Sequence, residues 1–189
     1  VQNALKFLSY KNVIISRDPS YINKSDYLIL PGVGAFNKCA ENLKRFKLHS
    51  ILNENVLGAK KPILGICVGM QLMSNYSNEN GFHEGLGWIP GHVEKIVSKK
   101  DVLRVPHVGW NTVIFEKKFL SFRKENHSTD FYFDHSYHYI CKDKYKAGVC
   151  NYSLPICSFI NHENIFGVQF HPEKSSYNGL RFLRSFLSR

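Results

Sequence analysis

A cysteine stands between two glycines in Gly65-Ile66-Cys67-Val68-Gly69, directly after the apolar run at 63–66 and directly before apolar residues at helical spacing. This is the pattern of a strand-to-helix elbow that presents a nucleophile, here a thiol. At so sharp a turn neighbouring backbone passes close, and side chains at the flanking positions would collide with it, hence glycine at both. The turn forces the Cys67 sulfur outward over the first turn of a helix. There the positive dipole end favours thiolate over thiol, and free N–H groups point at any oxyanion that forms. A buried, inert thiol is the other reading of Cys67, and it fits an arbitrary cysteine better than one with this spacing.

A base and its orienter stand in Gly167-Val168-Gln169-Phe170-His171-Pro172-Glu173. Residues 165–170 read as a strand that Pro172 ends. In extended chain residues i and i+2 point the same way, so His171 and Glu173 can face one site. An imidazole takes and returns a proton near neutral pH, and a carboxylate beside it selects the tautomer and stabilises the imidazolium. By itself His171 reads equally as an ordinary surface histidine. With Cys67 it completes a Cys–His–Glu set of nucleophile, base and orienter. A third stretch, Pro31-Gly32-Val33-Gly34, follows the apolar run at 27–30. Loops at the C-terminal ends of parallel strands gather on one sheet edge, so this loop would lie beside the elbow and offer backbone N–H groups to an oxyanion. Read alone, it is a common Pro-Gly turn.

These residues need a frame. Val1, Ala4, Leu5 and Leu8 open the chain at helical spacing, while 13–15, 27–30 and 63–66 read as short buried strands. One or two helices are expected over 36–57 and another over 68–74. This alternation predicts an α/β fold, a doubly wound, mostly parallel sheet flanked by helices. The second half is strand-rich. After the glycine-rich stretch 81–91, strand candidates follow at 93–97, 102–105, 112–115, 131–133, 137–140, 147–151, 156–160 and 165–170, before a final helix over 177–187. No repeat, low-complexity segment or linker interrupts the chain, so residues 1–189 are expected to form a single domain.

Composition narrows the function classes. Hydrophobic residues at 43% and charged residues at 21% exclude disorder as the default. No apolar run approaches the roughly 20 residues of a membrane span. No basic start followed by a long apolar stretch marks a signal peptide. The five cysteines (Cys39, Cys67, Cys141, Cys150 and Cys157) are odd in number and contain no CxxC pair. They point to a reducing, cytoplasmic compartment rather than a disulfide framework. A zinc site built on His135, His138 and a cysteine is a remote alternative, and no metal or cofactor is expected. The net charge of +10 is scattered, without a basic stripe interleaved with aromatics, which argues against nucleic acid. An acidic protein partner or an anionic substrate accounts for it equally well.

At this point the sequence resembles a known family. The stretches PGVGAF at 31–36, GICVGMQ at 65–71, GLGWIPG at 85–91, PHVGWN at 106–111, FYFDHSY at 131–137 and GVQFHPEKS at 167–175 look like those of class I glutamine amidotransferases. Among these they are most similar to the HisH-type glutaminase subunits of imidazole glycerol phosphate synthase. The resemblance implies hydrolysis of L-glutamine to glutamate and ammonia, in histidine biosynthesis, with the ammonia delivered within a heterodimer to a HisF-type (β/α)8 synthase subunit. It assigns Cys67 as nucleophile, His171 as base and acid, and Glu173 as its orienter. Val68 and the Val33–Gly34 backbone would form the oxyanion hole. Gly34, Gln71, Ser136 and Tyr137 fall where the family holds the amino-acid head of glutamine. Trp110, Tyr132 and Lys174 fall where it meets the synthase and gates the ammonia path, although Trp110 and Tyr132 also read as ordinary core aromatics.

Two departures from the family pattern stand out. The family opens with a strand and a Gly-Asn loop, whereas this chain begins inside the following helix, so that strand and the loop's share of the partner interface are expected to be missing. Asp134 occupies a position that is usually apolar. Two other readings compete with histidine biosynthesis: a HisH-like paralogue that supplies ammonia to a surface-sugar (amidino-sugar) amidotransferase, and a non-catalytic binding module on the same fold. The intact Cys67, His171 and Glu173 disfavour the last.

Overall fold

The computed structural model describes residues 1–97, 104–116 and 128–188. The strand β2 (Ile63–Cys67) is buried along its whole length. It has a parallel neighbour on each side, β1 (Leu28–Gly32) and β11 (Ile165–Val168), so both of its edges are hydrogen-bonded. Beyond β11 the sheet turns antiparallel, through β10 (Leu154–His162), β9 (Lys146–Tyr152), β6 (His107–Phe115) and β7 (Ser128–His135). The full order is β1-β2-β11-β10-β9-β6-β7. The sheet is mixed rather than mostly parallel as expected: only the two pairings around the elbow strand are parallel, and the four that the strand-rich second half supplies are antiparallel. A smaller sheet, ordered β4-β3-β5-β8, is made of β3 (Tyr76–Ser77), β4 (His83–Glu84), β5 (Gly91–Lys95) and β8 (Tyr137–Cys141).

The helices are α1 (Gln2–Phe7), α2 (Pro19–Lys24), α3 (Phe36–Arg45), α4 (Leu48–Asn53), α5 (Val68–Gln71) and α6 (Ser176–Leu187), with a π-helical turn over Glu54–Gly58. In α6 the apolar face buries Phe182, Leu183 and Phe186, and Phe182 meets Phe131, Phe159 and Phe170 edge to face. These aromatics join the sheet to its covering helix. They dominate the core through buried area and quadrupole-matched geometry.

Several expectations need correction. Residues 13–15 form no strand, and Ile14 and Ile15 are exposed, at 60% and 79%. A strand is a pairing, and among the described residues no strand lies beyond β1 for this segment to join. The helix over 68–74 stops at Gln71 and continues as looser turns, with Met73 N–H bonded to the Met70 carbonyl and Ser74 N–H to that of Gln71. Helix α2 was not foreseen, although Asp18 caps it by accepting from the Ser20 N–H and Pro19 fills its first turn. The strand candidate at 102–105 falls partly outside the described residues, and its remaining positions form no strand.

Candidate active site

Between β2 and α5 the chain reverses at Cys67, whose φ of 54° and ψ of −113° lie far from ordinary strand or helix values. A non-glycine residue held there marks strain that its surroundings must enforce. The enforcement is steric. A Cβ at Gly69 would come within 1.7 Å of the Leu30 carbonyl oxygen, and one at Gly65 within 2.6 Å of the Gly69 carbonyl oxygen. Only glycine lets α5 descend so closely onto β1 and β2. Cys67 is left 4% exposed at the head of α5, where first-turn N–H groups such as that of Val68 have no intrahelical acceptor.

The imidazole arrives from the end of β11. His171 lines the same cavity as Cys67, near enough for the thiol to act on its pKa, and its Nδ1 lies 2.9 Å from Glu173 Oε1. Burial alone would pull the His171 pKa down. The sulfur and the bonded carboxylate outweigh it and push the value up to about 9. Burial likewise works against ionised Glu173, yet the bond from His171 holds its carboxyl below the usual range. His171 Nδ1 is thus committed to the carboxylate, which leaves its other ring nitrogen as the one available to the thiol. The main chain clamps this loop: His171 N–H donates to the Tyr132 carbonyl at 2.8 Å, and Ser175 Oγ donates to the His171 carbonyl at 2.6 Å.

Cys67 and His171 open into a cavity of about 270 Å³. Val33, Gly34, Val68, Gln71, Ser136 and Tyr137, all singled out from the sequence, line it. Gly34 has φ of 89°, the conformation that requires glycine in this loop. Trp110, Tyr132 and Lys174 do not line the cavity. They lie together on the outer face of the β6–β7 pair, where Trp110 and Tyr132 are direct cross-strand partners. Lys174 Nζ sits 5.5 Å from the Tyr132 ring centre. Trp110 is 54% exposed, so it is no core aromatic.

The chain belongs to the class-I glutamine amidotransferases. The family's sequence profile matches residues 5–188. The chain is 46% identical over 187 residues to imidazole glycerol phosphate synthase subunit HisH 2 of Vibrio vulnificus, covering 99% of this chain and 87% of that protein. It is 41% identical over 186 residues to subunit HisH of Listeria monocytogenes serotype 4a, with 98% and 88% covered. To subunit HisH 1 of Campylobacter jejuni strain 81-176 it is 41% identical over 172 residues, covering 91% and 85%. The fold matches a solved glutamine amidotransferase with a TM-score of 0.75 at 17% identity, over 99% of this chain and 90% of that one. It also matches the glutaminase domain of Trypanosoma brucei CTPS with bound acivicin, with a TM-score of 0.63 at 15% identity and coverage of 98% and 84%.

This amidotransferase site contains polar groups that sequence reading passed over. Gln169 Nε2 donates to Cys67 Sγ at 3.6 Å, and Gln169 Oε1 accepts from Gln71 Nε2 at 3.1 Å. Glu79 lines the cavity and accepts the Phe36 N–H at 2.8 Å, tying down the start of α3 behind the Val33–Gly34 loop. The signal for Gln169 was its place two residues before His171. None pointed to Glu79. Asp134 has a divided role: its carbonyl lies 3.9 Å from Cys67 Sγ, while its carboxylate lies 3.8 Å from Lys174 Nζ. The zinc alternative gains no support, because among the described residues no three His, Cys, Asp or Glu side chains are placed so that they could hold a metal ion. Among the described residues no helix is long and apolar enough to cross a membrane.

Proposed function

We propose that this chain hydrolyses L-glutamine to glutamate and ammonia as the glutaminase subunit of an imidazole glycerol phosphate synthase of histidine biosynthesis, acting as one domain in the cytoplasm. The observation that carries the reading is the Cys67–His171–Glu173 set at the mouth of a cavity with an amino-acid-sized set of polar partners.

The Cys67 thiolate attacks the side-chain amide carbon of glutamine. The oxyanion that forms takes hydrogen bonds from the Val68 N–H and from the Val33–Gly34 backbone, each such preorganised donor being worth about 3 kcal/mol. His171 gives its proton to the amide nitrogen, ammonia leaves, and a thioester remains on Cys67. His171, now neutral, takes a proton from water as it attacks the thioester, and glutamate departs. Glu173 keeps the ring in the required tautomer throughout. Gln71 spends both amide hydrogens, on the Tyr137 carbonyl and on Gln169. Its Oε1 remains to accept from the substrate α-ammonium, with Glu79 as the counter-charge. Gly34, Ser136 and Tyr137 complete the cradle for the amino-acid head.

Ammonia released into neutral water is protonated and stops being a nucleophile, so it needs an enclosed route to its acceptor. The outer face of β6–β7, with exposed Val108, Trp110 and Ile114, is an apolar surface of the kind that marks an interface. Val108 pairs across from cavity-lining Asp134, so this surface reaches the site itself. We assign it, with Tyr132 and Lys174, to a HisF-type (β/α)8 synthase subunit in a heterodimer. The test is glutamate release from glutamine by the purified chain, alone and with that subunit. Turnover that rises sharply on adding the subunit supports the reading. No turnover in either case overturns it.

A further inference from the structure

The cavity-lining His135 and, next to it, His107 form a buried pair of histidines that the proposed chemistry does not use. His107 Nδ1 and His135 Nε2 are 3.0 Å apart, and the two rings are 2% and 6% exposed. Ring nitrogens can either donate or accept, but here backbone groups at both ends leave one arrangement. At one end His135 Nδ1 lies 2.8 Å from the Tyr137 carbonyl, which only accepts, so Nδ1 carries the proton. The Nε2 of a neutral His135 is then an acceptor, and His107 must donate to it from Nδ1. His107 Nε2 is left to accept, and Asn111 Nδ2 supplies the hydrogen at 3.2 Å. The other end agrees. Asn111 Oδ1 accepts the Thr112 N–H at 2.8 Å, and Asn111 Nδ2 also reaches the Asn151 carbonyl at 3.2 Å, which fixes the amide in the orientation the histidines need.

We propose that His107 and His135 are positioning residues for substrate: a one-directional hydrogen-bond chain from Asn111 through both rings to the Tyr137 carbonyl sets the corner at Ser136 and, through it, Gln71. The Tyr137 carbonyl has two lone pairs. One takes His135 Nδ1–H, the other takes Gln71 Nε2–H at 3.0 Å. With the carbonyl held from one side, Gln71 is aimed from the other, its remaining oxygen directed at the amino-acid head. The chain continues through Gln169 to the Cys67 sulfur, so one network shares the cradle and the nucleophile. Both rings stay neutral, as the chain requires. Burial holds the His107 pKa down to about 4 and that of His135 to about 3. The ring of His107 is also stacked between Tyr152 and Phe133, at centroid distances of 3.9 and 4.6 Å. A purely packing role is thus the competing explanation.

Two substitutions separate these roles. His107→Phe keeps the stack and removes the donor. His107→Asn places an amide nitrogen near the old Nδ1 and gives up the stack. The inference, which rests on the glutaminase reading for its kinetic part, expects His107→Phe to raise KM for glutamine about tenfold with kcat within about twofold. His107→Asn should recover most of that loss. Nitrogen-15 NMR of the wild-type rings at pH 7 should find the proton on Nδ1 of both histidines. A proton on Nε2 of either ring, a wild-type KM in His107→Phe, or no recovery in His107→Asn overturns the proposal. If wild-type protein hydrolyses no glutamine, the glutaminase reading fails, and the NMR proton positions still decide for or against the chain.

Discussion

The backbone N–H of His171 donates to the carbonyl of Tyr132 at 2.8 Å, and the side chain of that same Tyr132 stands beneath Lys174 and against Trp110 on the outer face of the sheet. The imidazole is therefore held by the main chain of a residue whose ring belongs to the proposed docking surface. Substitutions on that surface can be separated from substitutions in the site. Trp110→Ala should leave the unfolding midpoint close to wild type, because the ring is half exposed. It should weaken binding of the HisF-type subunit by about 2 kcal/mol or more, as for an aromatic anchor. A thermal melt checks the first half and titration calorimetry the second, and undiminished affinity would place the interface elsewhere.

Cys67→Ala should lower glutamine turnover by at least about a thousandfold, since a nucleophile removed from a series that acts as a unit takes nearly the whole chemical step with it. An electrophilic glutamine analogue should label the wild-type chain once and the variant not at all, as read by intact mass. Labelling of the variant would point to another cysteine.

The proton that His171 delivers to the departing nitrogen is retained up to about pH 9, because the sulfur and the carboxylate outweigh burial. The alkaline limb of kcat/KM for glutamine is expected there. Glu173→Gln removes one of the two groups that raise the value, so the limb should move toward neutrality. The maximal rate should fall by a factor on the order of 10² to 10⁴. A limb that stays in place shows that Glu173 does not orient this ring.

The same shift bears on stability. A raised value means the folded chain favours the imidazolium, so this contribution is complete below the ordinary value of 6.5 and is lost as pH rises through about 9. Urea midpoints of the wild type should decline across that window, and His171→Asn should decline less. Parallel curves for the two proteins would remove His171 from the pH dependence.

Gly69→Ala forces a methyl group to within 1.7 Å of the Leu30 carbonyl oxygen, which belongs to a paired strand and has little room to give. The expected cost is about 3 kcal/mol or more, enough to leave little folded protein. Gly34→Ala, whose methyl would meet nothing within 4 Å, should cost less and act through its φ of 89°. Circular dichroism melts of the two variants rank them.

Much of the site was legible because its signals are local. A glycine on either side of Cys67 records how close α5 must come to β1, and Pro172 between His171 and Glu173 records that extended chain does not continue past the imidazole. What was not legible depends on partners distant in sequence. Gln169 acts on Cys67 from 102 residues away, and Glu79 holds Phe36 from 43 residues away. No spacing rule reports such pairs. Residues 13–15 have the composition of a strand, but composition supplies propensity, and a strand forms only where another offers its edge.

By itself, the order of residues determined the elbow, the imidazole–carboxylate step and the alternation of elements that places them on one sheet edge, since backbone sterics and side-chain period act over a few positions. Tertiary structure alone decided which strands pair antiparallel, which aromatics face outward and which way the buried histidines pass their hydrogens. Those outcomes depend on what lies across a strand or beneath a ring, and such neighbours exist only once the chain has closed on itself.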